Sequence, residues 1–175
     1  MPISVYIDNN VWDFLFDRKM DLAVELPREE YCICITREAE FEISPMPPEK
    51  RAFADATIVR CAVATDVFFG WANETLPTEE QRVAGWGHGR WASAKELAFI
   101  DQQRTALKNR IRPTKLYEGE ADLSLAARSM HSVALSLDAK KGPINAAYKQ
   151  GGKVIFLTDF DTSGLSLADF IRSKA

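Results

Sequence analysis

Four acidic residues far apart in the chain, Asp8, Glu42, Asp122 and Asp138, have the type and the context to share one task. Hydrolysing a phosphodiester at neutral pH needs an activated water and neutralisation of the charge that develops on the phosphoryl oxygens. Mg²⁺ or Mn²⁺ can supply both, and such hard ions take carboxylate oxygens. Carboxylates gathered without an ion repel one another and resist ionisation, so a metal site is one resolution of such a cluster. Each acid also has a plainer reading. Asp8 and Asp138 follow apolar runs, where an aspartate can cap a helix or make a turn. Glu42 competes with Glu38 and Glu40, and Asp122 with Glu120, as residues of a solvated or dipole-favoured helix end. Spacing and order, not any single acid, make the case.

The elements that must position these acids alternate between strand-like and helical. Ile3–Ile7 is short, apolar and β-branched and stops at Asp8-Asn9-Asn10, as a buried strand would. Residues 11–16 look helical. Residues 31–35 form a second strand-like run, and Thr36 can cap a helix over REAEFEI. Residues 48–69 are expected to be one helix, and 91–110 another that Pro113 closes. Between them, Gly70, Pro77, Gly85, Gly87 and Gly89 argue for loops. A helix is expected over 119–131, a strand over 133–137 ending at Asp138, a helix over 143–150, a strand over 153–157, and a last short helix after the turn TDFDTSG. This alternation predicts an α/β fold with a mainly parallel sheet, whose strands end where such sheets carry their sites.

The bulk properties exclude more than they identify. A length of 175 residues favours one domain, here with a helical and loop insertion at about 47–112, and 46% hydrophobic residues suffice for a core without staples. A net charge of −3 gives no general affinity for nucleic acid. Binding would need local patches, for which Arg104, Lys108, Arg110, Arg112 and Lys115, and Lys140-Lys141, are the available residues; the plainer reading is a solvated face. Trp71, Trp86 and Trp91 could stack on bases, cover a partner groove, or pack the insertion onto the core. The odd cysteine count, Cys32, Cys34 and Cys61, reads as buried reduced thiols and a reducing cytosol. The N-terminus has no basic stretch before its apolar run, and no run reaches the about 18 apolar residues of a membrane span, so a cytoplasmic, membrane-free protein is expected.

In this order the motifs resemble the PIN-domain family, including the VapC-type toxins. VYIDNNVW matches its apolar strand ending Asp-x-Asn, at Asp8 and Asn10. Thr36 followed by Glu42-Ile43 matches its hydroxyl residue opening a helix with a later Glu-hydrophobic pair. Residues 122–127 match its Asp-led helix of small residues, and Ser136-Leu137-Asp138 its strand ending in hydroxyl-x-Asp. Thr158-Asp159-Phe160-Asp161 also resembles the last motif and ranks second, since using it orphans Ser136-Leu137-Asp138. The likeness spans about 1–45 and 115–160; the Trp/Gly stretch matches no known motif. The resemblance implies a three-layer α/β/α endoribonuclease dependent on Mg²⁺ or Mn²⁺, with Asp8, Glu42, Asp122 and Asp138 holding one or two ions. Glu120 and Asp159 are alternates, and Asn10, Thr36 and Ser136 orient carboxylates or water. RNA would be the substrate, gripped by Arg112, Lys115, Lys140 and Lys141, with an antitoxin protein or a homodimer as conceivable partners. A catalytically weak PIN-like binding module is the alternative. A haloacid-dehalogenase-type phosphatase needs an acid where Asn10 stands.

Overall fold

Short β-branched runs pair along the centre of the chain because each is apolar on both faces. The computed structural model describes residues 2–71 and 73–174, the side chains of 106 and 109 excepted. The chain begins with β1 (Ile3–Ile7), α1 (Asn9–Asp17), α2 (Leu22–Glu25), β2 (Tyr31–Thr36), α3 (Arg37–Ile43), α4 (Pro48–Cys61) and β3 (Ala64–Asp66). An excursion with β4 (Phe68–Phe69) and β5 (Val83–Ala84) leads to α5 (Ala94–Gln103) and a hairpin of β6 (Lys108–Ile111) and β7 (Tyr117–Glu118). Then follow α6 (Glu120–Arg128), β8 (Val133–Ser136), α7 (Pro143–Lys149), β9 (Val154–Phe156), α8 (Phe160–Ser163) and α9 (Leu167–Lys174).

The central sheet has the order β3-β2-β1-β8-β9, and every pairing in it is parallel. The expected α/β class with a parallel sheet between helices is what forms. Residues alternate between its two faces. Val5, Ile7, Ile33, Ile35, Val133, Leu135 and Ile155 join one core with Trp12, Leu15 and Phe170, whereas Tyr6, Cys34, Ala134 and Val154 join another with Phe99, Leu123 and Ile144. From β1 the chain builds outward to β2 and β3, then returns to the other side for β8 and β9. The crevice at this reversal, outside the carboxyl ends of β1 and β8, is where open α/β sheets place ligands. Among the described residues no helix is long and apolar enough to cross a membrane.

Several local expectations needed correction. The helix expected over 48–69 stops at Cys61, where Ala62 turns left-handed (φ 47°) and its N–H bonds back to Ile58 and Val59. The chain then adds β3 to the sheet edge. Its residues Ala-Thr-Asp are not buried, so no apolar run announces them. The segment 47–112 therefore supplies a helix and an edge strand to the main layers, and the irregular excursion narrows to residues 67–92. The helix expected over 91–110 ends at Gln103; β6 and β7 reverse around Pro113, with Lys115 left-handed (φ 67°) and Arg112 N–H bonded to Leu116 O at 2.8 Å. All three cysteines are free, and Cys34 and Cys61 are buried, but Cys32 is exposed. Trp86 and Trp91 pack on Phe69, with centroids 4.8 and 4.4 Å from it, rather than on the core, and both stay largely exposed.

A buried charge cluster ties the excursion down. Arg128, 1% exposed, donates to Asp66 Oδ2 at 2.6 Å and to Ser124 Oγ at 2.7 Å, and Ser124 donates to the buried Glu38. Arg90 joins Asp66 at 2.8 Å to Glu96 at the start of α5. The Phe68 ring lies against both guanidinium groups, 3.9 Å from Arg128 and 4.7 Å from Arg90. Removing the central cation takes one of two guanidinium partners from Asp66 and the charge that opposes the burial of Glu38. Arg128→Ala should therefore destabilise the chain by roughly 3–5 kcal/mol in urea denaturation; a loss below about 1 kcal/mol would mean the cluster is solvated.

Candidate metal centre

Asp8 stands at the carboxyl end of β1 and is 9% exposed. Its Oδ1 accepts the Asn9 N–H at 2.8 Å, so it is also the cap of α1. Its Oδ2 accepts Asn10 Nδ2 at 2.7 Å and the Ser136 hydroxyl. Ser136 ends β8, directly beside β1, and its Oγ in turn accepts the Asp138 N–H at 3.0 Å. Asn10 Oδ1 accepts the Leu137 N–H at 3.0 Å, closing a clamp between the two strand ends. Asp138, expected from the sequence at the strand end, lies two residues beyond it in an exposed turn, with its Oδ1 accepting the Lys140 N–H.

Glu42 comes from the far end of α3. Its Oε2 accepts Asn9 Nδ2 at 2.7 Å, and its Oε1 lies 3.3 Å from Arg112 Nη1. Its rivals are engaged elsewhere: Glu38 with Ser124 in the buried cluster, Glu40 with Arg37 and Thr65. Thr36 does not touch the acids. Its hydroxyl caps α3 by accepting the Ala39 N–H at 3.1 Å, which sets where that helix starts. Asp122 lies in the first turn of α6, behind the left-handed Gly119 (φ 90°), and accepts no hydrogen bond among the described residues.

The charges of these acids act on one another. Burial pushes the Asp122 carboxyl up to about 6, and the charges of Asp8, Glu42 and Asp138 push the same way; Arg112 opposes them. Burial also raises Asp8, against the hydrogen bonds from Ser136, Asn9 and Asn10, and Glu42 adds to the rise. The alternates stand apart. Glu120 is held by Arg82 at 3.0 Å and by the Tyr117 N–H at 2.7 Å, and so anchors the excursion. Asp159 lies exposed in the turn after β9, beside an Asp161 paired with Arg18.

An open cleft of about 400 Å³ leads to Asp122 and is lined by Lys108, Arg112, Glu118, Gly119 and Lys141. Lys140 is exposed next to Asp138, whereas Lys115 faces a different cleft with Trp71, Arg82 and Tyr117. An apolar groove of about 380 Å³ between α1 and α4 lies away from the acids.

No protein-family model matches the chain, and no curated protein does. A chain in the crystal structure of VapBC2 from Rickettsia felis bound to a DNA fragment from their promoter is similar to it with a TM-score of 0.46 and 12% identity, over 88% of this chain and 97% of that one.

The donor set suits a hard divalent ion: four carboxylates, one of them without a hydrogen-bond partner among the described residues. Asn9 Oδ1, on the residue that holds Glu42, is also buried without a donor. The carboxylates nevertheless stand apart from one another. Among the described residues no three His, Cys, Asp or Glu side chains are gathered to hold an ion as they stand. Asn9 was not among the residues singled out from the sequence. Its adjacency to a strand-ending aspartate was the available signal, but its partner lies 33 residues away.

Asp122 makes the site costly to the fold. Its carboxyl titrates at about 6 in the folded chain and near 3.8 in an unfolded one. Between these values the folded protein keeps a proton that the unfolded chain has released. The associated stability is complete below about pH 4 and lost as pH rises through 6. With EDTA present, Asp122→Asn should raise stability on the order of 1–3 kcal/mol at pH 7.5 and by clearly less at pH 5. Thermal denaturation at both pH values tests this, and an equal shift at both would count against the cluster.

Proposed function

We propose that this chain is a PIN-type, Mg²⁺- or Mn²⁺-dependent endoribonuclease. What supports the reading is that Asp8, Glu42 and Asp138, from three other elements, all act by charge on the buried Asp122 carboxyl, beside the reversal point of a parallel sheet. A bound ion would activate water and offset charge at the phosphorus. The chain's own residues do the placing. Asn10 and Ser136 fix the Asp8 carboxylate against the end of β8, and Asn9 fixes that of Glu42. Lys108, Arg112 and Lys141 put positive charge along the cleft, where a phosphate backbone would pass. RNA as substrate, a 5′-phosphate and 3′-hydroxyl as products, and an antitoxin protein as partner follow from the resemblance of the motifs to VapC-type toxins.

A second reading, a PIN-like module that binds a partner without cutting, draws on one observation. Both Glu42 oxygens already have protein partners, Asn9 and Arg112. Cleavage of a labelled single-stranded RNA with Mn²⁺ separates the two. Asp8→Asn should abolish cleavage while leaving the circular dichroism spectrum unchanged, and cleavage retained in that variant would falsify the nuclease reading. Asp138→Asn should lose both cleavage and Mn²⁺ binding, whereas Asp159→Asn should keep both; the reverse pattern would move the fourth acid to the turn after β9.

A further inference from the structure

Arg112 reaches into the acidic site from an element that the motifs do not include. It sits where β6 meets the Pro113 turn, on a backbone held by its N–H to Leu116 O at 2.8 Å and by the Lys115 N–H to its own carbonyl at 2.9 Å. Leu116 is fully buried and roots the hairpin in the core. The base of the side chain is thus fixed, while its tip is half-exposed and makes one hydrogen bond among the described residues, Nη1 to Glu42 Oε1 at 3.3 Å.

That contact is built to be exchanged. A long, one-point, half-solvated ion pair adds little stability, whereas a divalent ion binds carboxylate oxygen strongly. The two oxygens of Glu42 have unequal partners. Asn9 Nδ2 holds Oε2 at 2.7 Å and keeps the carboxylate aimed, leaving Oε1 as the oxygen that can change hands. We propose that Arg112 is a placeholder for the divalent cation, holding Glu42 Oε1 in the metal-free protein and giving it up when the ion binds. The arrangement offsets repulsion among the acids while no ion is present and makes the ion compete with a tethered internal cation. It rests on the metal-site reading above.

Titration calorimetry of the full chain with MnCl₂ at low ionic strength tests it, using wild type, Arg112→Gln, Arg112→Lys and Asp122→Asn. Arg112→Gln should bind Mn²⁺ roughly two- to fivefold more tightly than wild type, the advantage expected from removing an exposed ion pair. Arg112→Lys, which keeps the charge, should remain close to wild type. A merely structural arginine would leave affinity unchanged or weaken it, and either result in a folded Arg112→Gln overturns the proposal. Equal tightening in the lysine variant overturns it too, because charge would then not be what competes. Asp122→Asn separates the underlying reading: if it binds Mn²⁺ as wild type does, or wild type shows no binding, the metal centre itself is wrong and the placeholder falls with it.

Discussion

β1 pairs on both of its edges, with β2 on one side and β8 on the other, and runs parallel to each. Parallel strands all end on the same edge of a sheet, so the residues that follow β1, β2 and β8 are forced into one neighbourhood. Asp8 follows β1 directly, Asp138 comes two residues after β8, and Glu42 lies one helix beyond β2. The chain also reverses its direction of growth beside β1. Position along the sheet edge therefore accounts for the pocket before any side chain is considered.

Gathering acids in that gap has an electrostatic cost that the neighbouring residues partly offset. Asn9, Asn10 and Ser136 point donors at Asp8 and Glu42, and the hairpin contributes Arg112. Asp122 accepts no hydrogen bond among the described residues, and burial pushes its carboxyl up to about 6 against the charge of Arg112.

The second charge cluster shows the contrasting solution. Around Arg128, the carboxylates of Asp66 and Glu38 are held with a cation and a hydroxyl that complete their bonding. That cluster is closed to solvent at its centre and leaves neither acid unsatisfied, so it works as a fastening between α6, β3 and the excursion. Asp66 pairs with two guanidinium groups, whereas Asp122 accepts no hydrogen bond among the described residues.

The strand and helix alternation, the apolar faces, the strand-ending Asp8, the helix begun at Thr36 and the Asp122 helix could all be read along the chain, because they depend on local periodicity and capping. The edge strand β3 could not, since a strand paired on one edge and left exposed needs no apolar pattern. Neither could the hairpin at 108–118, whose basic residues suit a helix face equally well. The partners of Glu42, Glu38 and Glu40, the engagement of Glu120 with Arg82, and the roles of Asn9 and Arg112 as donors to Glu42 were decided by tertiary structure alone. Those roles depend on contacts across 33 and 70 residues. The acidic residues and their local contexts were thus set by the sequence itself, but which of them come to the same sheet edge was set by strand order, and local pattern does not encode strand order.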